Sequence, residues 1–203
     1  MTMRTIAHKK GGFTLIETVV SVTLLVLAVV GPMTLASNSL RVSRDARAEL
    51  EAIQIANEGL EIVHNIRDNN SADDSTPTRT EWMDGIYPEC QFGCVADVTN
   101  HTGPTTNVWG ANALKGVCTS GTLCDSERFV MYQDPTTGLY RQRHSALGGS
   151  WEKTNYTRKI IVTQVTAGRQ VQVTSIVTYI GYGGGPRTIT VSEDLYNWFP
   201  SLN

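Results

Sequence analysis

The segment from Phe13 to Ala36 constrains this chain more than any other: 24 consecutive residues with a single charge, Glu17. As an α-helix rising 1.5 Å per residue it would be about 36 Å long, enough to cross the roughly 30 Å apolar core of a bilayer with some tilt. A chain that carries such a segment must sink it in a membrane or cover it with protein. Glu17 is then out of place. An ionised side chain inside a span costs roughly 2.5–3.5 kcal/mol on insertion scales, so an intramembrane carboxylate marks a function. Gly31-Pro32 breaks the run; proline removes a helical hydrogen bond and crowds the preceding turn, which predicts a kink or local melting there. Ahead of the run stand Arg4, Lys9 and Lys10, then Gly11-Gly12. A secretory signal would have a shorter apolar region ending in small residues at its cut; here the basic part comes first and the apolar run is long.

The stretch Lys9-Lys10-Gly11-Gly12-Phe13-Thr14-Leu15-Ile16-Glu17 resembles the class III signal of type IV prepilins, a family that also includes the type II secretion pseudopilins. The resemblance implies a cut between Gly12 and Phe13 by a membrane-embedded prepilin peptidase, N-methylation of Phe13, and Glu17 as the fifth mature residue. It implies four parts: a leader at 1–12, a membrane and filament-core half-helix at 13–36, an amphipathic half-helix at 37–68 and a head at 69–203. In such filaments each Glu17 would neutralise the Phe13 amine of a neighbouring subunit, setting the stagger. The implied partners are other pilin subunits, the peptidase and methyltransferase, and an inner-membrane assembly platform. The implied location is a single pass through the inner membrane, leader cytoplasmic as the positive-inside rule requires, then an envelope-spanning or extracellular filament. A minor pilin is the leading reading. A type II secretion pseudopilin and a filament-borne module that binds DNA or surfaces are the alternatives.

Beyond Ala36 the pattern stays helical to about Asp68 and becomes amphipathic. Glu51, Gln54, Glu58, Glu61 and Asn65 recur at three and four to give a polar stripe, with Ile53, Ala56, Leu60 and Val63 roughly opposite and Ile55, Ile62 and Ile66 widening the apolar arc. That arc suits a helix packed into a sheet. Gly59 costs about 1 kcal/mol relative to alanine, which predicts a close backbone approach. Residues 69–77 read as a polar break ending in Pro77. The region 78–126 reads as a long irregular connector, uncommon unless functional or cross-linked. Strand patterns follow: a hairpin of Phe129–Tyr132 and Leu139–Gln142 around Asp134–Gly138, then alternating segments at 158–165, 170–177 and 188–195, with a glycine-rich loop at 181–186. One long N-terminal helix followed by alternating strands predicts an α+β fold with an antiparallel sheet of about four or more strands. It also resembles the pilin fold.

Cys90, Cys94, Cys118 and Cys124 are four cysteines beyond the anchor, which reads as two disulfides in an exported head, with three connectivities open. A zinc site would want C-x2-C pairs, and the spacing here is C-x3-C and C-x5-C. No metal or cofactor is expected. Asp68, Asp73 and Asp74 lack the order of a calcium loop. The formal charge of −2, which would fall by three more if the leader cations were lost, argues against a general nucleic-acid surface. A local patch of Lys115, Arg128, Arg141, Arg143, Lys153, Arg158, Lys159 and Arg169 beside Tyr132, Tyr140, Trp151 and Tyr156 keeps DNA contact open as an alternative. His8, His64, His101 and His144 fall in no hydrolase or metalloenzyme motif, and no phosphate or dinucleotide glycine signature is present. The sequons at Asn69, Asn100 and Asn155 are chance-level matches. The expectation is a structural subunit and not an enzyme.

Overall fold

The computed structural model describes residues 12, 14–72, 81–87, 89–97, 114–118, 124, 126–142 and 151–198. The leader up to Gly11, Phe13, Asp73, Asp74, Asn100, His101, Arg143 and His144 lie outside the described residues. The chain divides into two compact units, Met1–Arg44 and Asp45–Asn203.

Helix α1, Leu15–Ala72, runs through both. It starts where the apolar run starts. It passes Gly31-Pro32 without interruption, so the local melting expected there is absent. It also continues four residues past the expected stop at Asp68. Side chains tie this last turn down: Ser71 Oγ donates to the helix carbonyl Arg67 O (2.9 Å), and Asn70 Nδ2 donates to Asp84 O (2.8 Å) of the following turn. In the first unit every described residue of α1 is exposed, and this segment is long and apolar enough to cross a membrane.

In the second unit the same helix packs on an antiparallel sheet, giving the α+β, pilin-like arrangement. The strands are β1 (Cys94–Ala96), β2 (Leu114–Gly116), β3 (Val130–Gln133), β4 (Tyr140–Gln142), β5 (Glu152–Thr166), β6 (Gln170–Ile180) and β7 (Pro186–Tyr196). β5 is the hub. β6 pairs along one edge and β7 follows it. The other edge is shared: β3 takes the first half through Val130↔Thr157 and Tyr132↔Lys153, and β1 joins at Cys94↔Ile160. β4 extends β3 through the anticipated hairpin, and β2 extends β1.

Two groups of side chains lock helix to sheet. Leu60, Ile62, Val63 and Ile66 meet Ile160, Val162, Val171, Val173 and Leu195, with Trp82, Met83 and Ile86 closing the end. One or two turns earlier, Ala52, Ile55 and Ala56 meet Met131, Tyr156, Val177 and Tyr179. At about 1.5–3 kcal/mol per fully buried large apolar side chain, this face is what keeps the helix on the sheet. Gly59 is the close approach predicted: a Cβ there would sit 3.0 Å from Ser175 Oγ and 3.2 Å from both Arg158 Cδ and Ile160 Cδ1. The predicted faces need adjustment at four positions. Ile53 is half-buried and not part of the core, while Arg67 is buried. Glu51 and Glu58, expected on a solvated stripe, are half-buried and engaged by the sheet.

The region read as an irregular connector contains structure: a turn at 82–87 that buries Trp82, Met83 and Ile86, and the β1–β2 pair. Its disulfides are local, Cys90–Cys94 and Cys118–Cys124. They therefore staple two short loops and do not tie distant parts of the region together. Backbone bonds do that, with Cys94 opposite Gly116 and Val117 N donating to Gly93 O (3.2 Å).

Candidate functional site

The sequence points first to the start of α1. Gly12 is exposed, its φ lies outside the left-handed region, and no described residue stands within 4 Å of where a Cβ would be. The described residues give no reason for glycine at this position. Thr14 is the N-cap: the Glu17 amide donates to Thr14 Oγ1 (3.3 Å) and to Thr14 O (3.1 Å). Thr14-Leu15-Ile16-Glu17 is thus the S/T-x-x-E spacing of a capping box, and Glu17 holds the N3 position. The box was readable in the sequence, which instead drew attention to the membrane cost of the carboxylate. A carboxylate in the first turn also favours the helix dipole by about 0.3–1 kcal/mol. That is smaller than the roughly 2.5–3.5 kcal/mol charged for a carboxylate at a membrane midplane. The dipole therefore accounts for an exposed Glu17, as it is here, and would not offset its insertion into lipid.

The second constellation was not anticipated. Arg158 was grouped with a solvent-facing basic patch, but its side chain is 1% exposed. Its donors reach three other elements. Nε donates to Gln142 Oε1 (3.2 Å), Nη1 to Ile55 O (3.1 Å) on α1, and Nη2 to Ala96 O (2.9 Å) on β1. Glu58 supplies countercharge at 3.5 Å. Gln142 completes the set by accepting from Ala96 N (3.0 Å) and donating to Phe129 O (3.0 Å) and Arg158 O. Burial pushes the guanidinium's pKa down, and the carboxylates of Glu58 and Asp97 oppose that shift. Gly59 makes the arrangement sterically feasible, because any side chain there would press on the Arg158 stem. Arg141, another member of the proposed patch, is paired with the buried Asp97 at 3.2 Å and lies over Trp151 at 4.9 Å. Arg143 is outside the described residues.

Further along the helix, Tyr156 donates its hydroxyl to Glu51 (2.8 Å). Burial first, and that carboxylate second, hold the phenol far above its ordinary range. Asp45 caps the glycine-rich β6–β7 loop, accepting from Tyr182 N (2.7 Å) and from Arg187 (3.2 Å). His64 meets Glu193 of β7 at 3.0 Å. These contacts position the helix and none forms a nucleophile–base pair. A cavity of about 240 Å3 lies between the 81–87 turn and the β5–β6 hairpin. Its lining includes Trp82, Asp84, Tyr87 and Gln164, with no histidine, cysteine or serine. Among the described residues no group of three His, Cys, Asp or Glu side chains is placed to hold a metal. All four cysteines are in disulfides. No protein-family model, characterised protein or solved structure matches this chain.

Proposed function

We propose that the chain is a structural subunit of a type IV pilin-like filament. It would be cut between Gly12 and Phe13, methylated on Phe13, held in the inner membrane by the first half of α1 and then assembled with other pilin subunits. The observation that carries this reading is the joint presence of two features. A glycine for which the described residues give no reason stands three residues before the start of a helix whose first half is uncovered and whose second half is fastened to a sheet. A requirement for glycine that the fold does not impose belongs to a partner, and an extended substrate in a peptidase cleft supplies one. The uncovered half-helix needs an apolar environment, which a bilayer provides first and neighbouring helices provide in a filament.

Glu17 then has a role beyond its cap. In lipid, its carboxylate and the new amine of Phe13 are both costly; helices stacked with a stagger pair each carboxylate with a neighbour's amine and remove both costs together. The capping box makes the test sharp, because Gln serves at N3 as well as Glu does. Glu17→Gln therefore keeps the cap and removes the charge. Expressed beside its partner subunits, this variant should still be cleaved to a Phe13 N-terminus, seen by mass spectrometry, and still sit in the membrane. Its recovery in sheared filaments should fall at least tenfold. Filament recovery equal to wild type would leave the Glu17 carboxylate no role beyond the helix N-terminus, and a mature N-terminus other than Phe13 would remove the family assignment.

A further inference from the structure

The cavity between the 81–87 turn and the β5–β6 hairpin holds polar groups that nothing in the fold consumes. Both of its walls are tied down. Asn70 of α1 donates to the carbonyls of Trp82 (3.4 Å) and Asp84 (2.8 Å), and Tyr87 N donates to Met83 O (3.0 Å). On the other side Arg169 N closes the β5–β6 turn on Thr166 O (3.0 Å), and Asn197 Nδ2 donates to Gly168 O (3.3 Å). Five lining side chains keep their hydrogen-bonding capacity: the carboxylates of Glu81 and Asp84, the hydroxyl of Tyr87, the amide of Gln164 and the indole N–H of Trp82. Among the described residues none of these groups has a partner. Trp82 is the informative one, because a buried tryptophan ordinarily pairs its N–H. It is only 8% exposed, yet its N–H is neither bonded nor sealed from solvent, so that donor opens on the cavity the residue lines.

An occupant must therefore donate and accept at once. A simple cation would answer the two carboxylates but leave the indole N–H facing positive charge. An anion would answer the N–H and be repelled by Glu81 and Asp84. Neighbouring hydroxyls do both, since each gives one hydrogen and offers two lone pairs. A hydroxyl that donates to a carboxylate also makes a charge-assisted bond, roughly twice as strong as a neutral one. The volume of about 240 Å3 falls below the roughly 300–1,000 Å3 of pockets for drug-sized molecules, which limits the occupant to a single ring. Met83 and Val171 supply an apolar lining for the C–H side of such a ring. Beside Gly168 the space is open, with no described residue within 4 Å of where a Cβ would be, so a substituent on the ring has a way out. We propose that this cavity seats the terminal, uncharged sugar ring of a glycan. The site lies wholly in the second unit and does not depend on the filament assignment.

The test uses the full chain, isotope-labelled at its tryptophan indoles, in a zwitterionic detergent that has no sugar headgroup. Indole N–H resonances are followed during titration with the methyl glycosides of glucose, galactose, mannose and N-acetylglucosamine. At least one should move the resonance that Trp82→Phe deletes, with a dissociation constant on the order of 1 mM for so small a ligand. Glucuronate, the same ring carrying a carboxylate, should bind about tenfold more weakly or worse. Glu81→Gln and Asp84→Asn keep the hydrogen-bonding shape and remove the charge, and each should weaken binding about fivefold or more. Both residues are exposed, so these changes spare the fold. A disaccharide ending in the preferred ring should bind as well as the methyl glycoside, through the opening beside Gly168; its exclusion would overturn the glycan end in favour of free sugar. Glucuronate binding as tightly as a neutral glycoside would overturn the site, as would full affinity in both carboxylate variants. A shift with agmatine and none with the glycosides would make it a cation pocket instead. No response to any glycoside at about 100 mM would mean no sugar site at all.

Discussion

Arg158→Met tests whether the helix is held to the sheet by its buried cation or by apolar packing alone. The substitution keeps most of the side-chain length and withdraws donors from three buried oxygens: Ile55 O, Ala96 O and Gln142 Oε1. Bonds from a charged donor are worth about 1.5–3 kcal/mol each. Against that, the guanidinium no longer has to be stripped of water, an offset of several kcal/mol. The net loss should be about 3 kcal/mol, a large share of the 5–15 kcal/mol by which domains are stable. Glu58→Gln should cost only about 1 kcal/mol. Its side chain is 34% exposed, so solvent screens much of the ion pair. In the double variant Glu58 has no cation left to lose, so the two effects should overlap by about 1 kcal/mol and not add. Urea unfolding of the full chain in mild detergent, followed by tryptophan fluorescence, reads all three variants against wild type. With a slope near 2 kcal/mol/M, Arg158→Met should lower the midpoint by about 1.5 M. A midpoint within about 0.25 M of wild type, or strict additivity in the cycle, would refute the clamp.

Three further outcomes follow from the same geometry. Gly59→Ala gains about 1 kcal/mol of helix propensity but drives a Cβ to 3.0–3.2 Å from Ser175, Arg158 and Ile160, and overpacking of that kind costs about 1–3 kcal/mol. The balance should be a melting temperature a few degrees lower, and a rise would mean the seam is looser than described. Both disulfides should be complete in exported protein, so denatured unreduced chain should show no free thiol. Reduction should remove only about 2 kcal/mol per bridge because the closed loops are short; four titratable thiols, or loss of all structure on reduction, would contradict this. The phenol of Tyr156 is raised, so its contribution to stability is complete below the unfolded value of 10.0 and fades as pH climbs through the higher folded value. Tyr156→Phe should therefore be less stable than wild type at neutral pH and should lose less on titration above pH 10. Parallel pH profiles for the two proteins would sink that assignment.

The helix, the hairpin and the long strands were legible because each is written in one period. Val171, Val173, Ser175 and Val177 alternate, and all four are buried. Boundaries drifted where pairing outlasted the apolar signal. β5 begins at Glu152 and not near Arg158, since its polar first half is held by the β3 ladder and needs no hydrophobic alternation. The buried arginine was misread for the opposite reason. Arg158 has the parity of Tyr156, Ile160 and Val162, so the period of two had already placed it on the inner face. Residue type overruled position, as it did for Glu51 and Glu58, whose stems lie on the flank of the helix while their carboxylates reach inward. The disulfide partners were not legible, because they depend on local turns such as the one at Gly93, whose φ of 126° no pattern announces.

The N-terminal motif presents a different limit. Core residues explain themselves through contacts within the chain, so their reasons can be read from the fold. Among the described residues Gly12 and the exposed face of α1 have no such contacts to supply a reason, and the internal benefit of a carboxylate at Glu17 is its place at the helix N-terminus, worth about 0.3–1 kcal/mol. On the proposed function, other molecules supply the missing reasons: an enzyme for the glycine, a bilayer or neighbouring helices for the apolar face, and a cation for the carboxylate. The three requirements lie within one short stretch at the head of α1. A single process of cutting, anchoring and stacking meets all three, whereas an anchor alone meets only the second. For that reason Glu17→Gln, which spares the cap and the anchor, bears most directly on what this chain does.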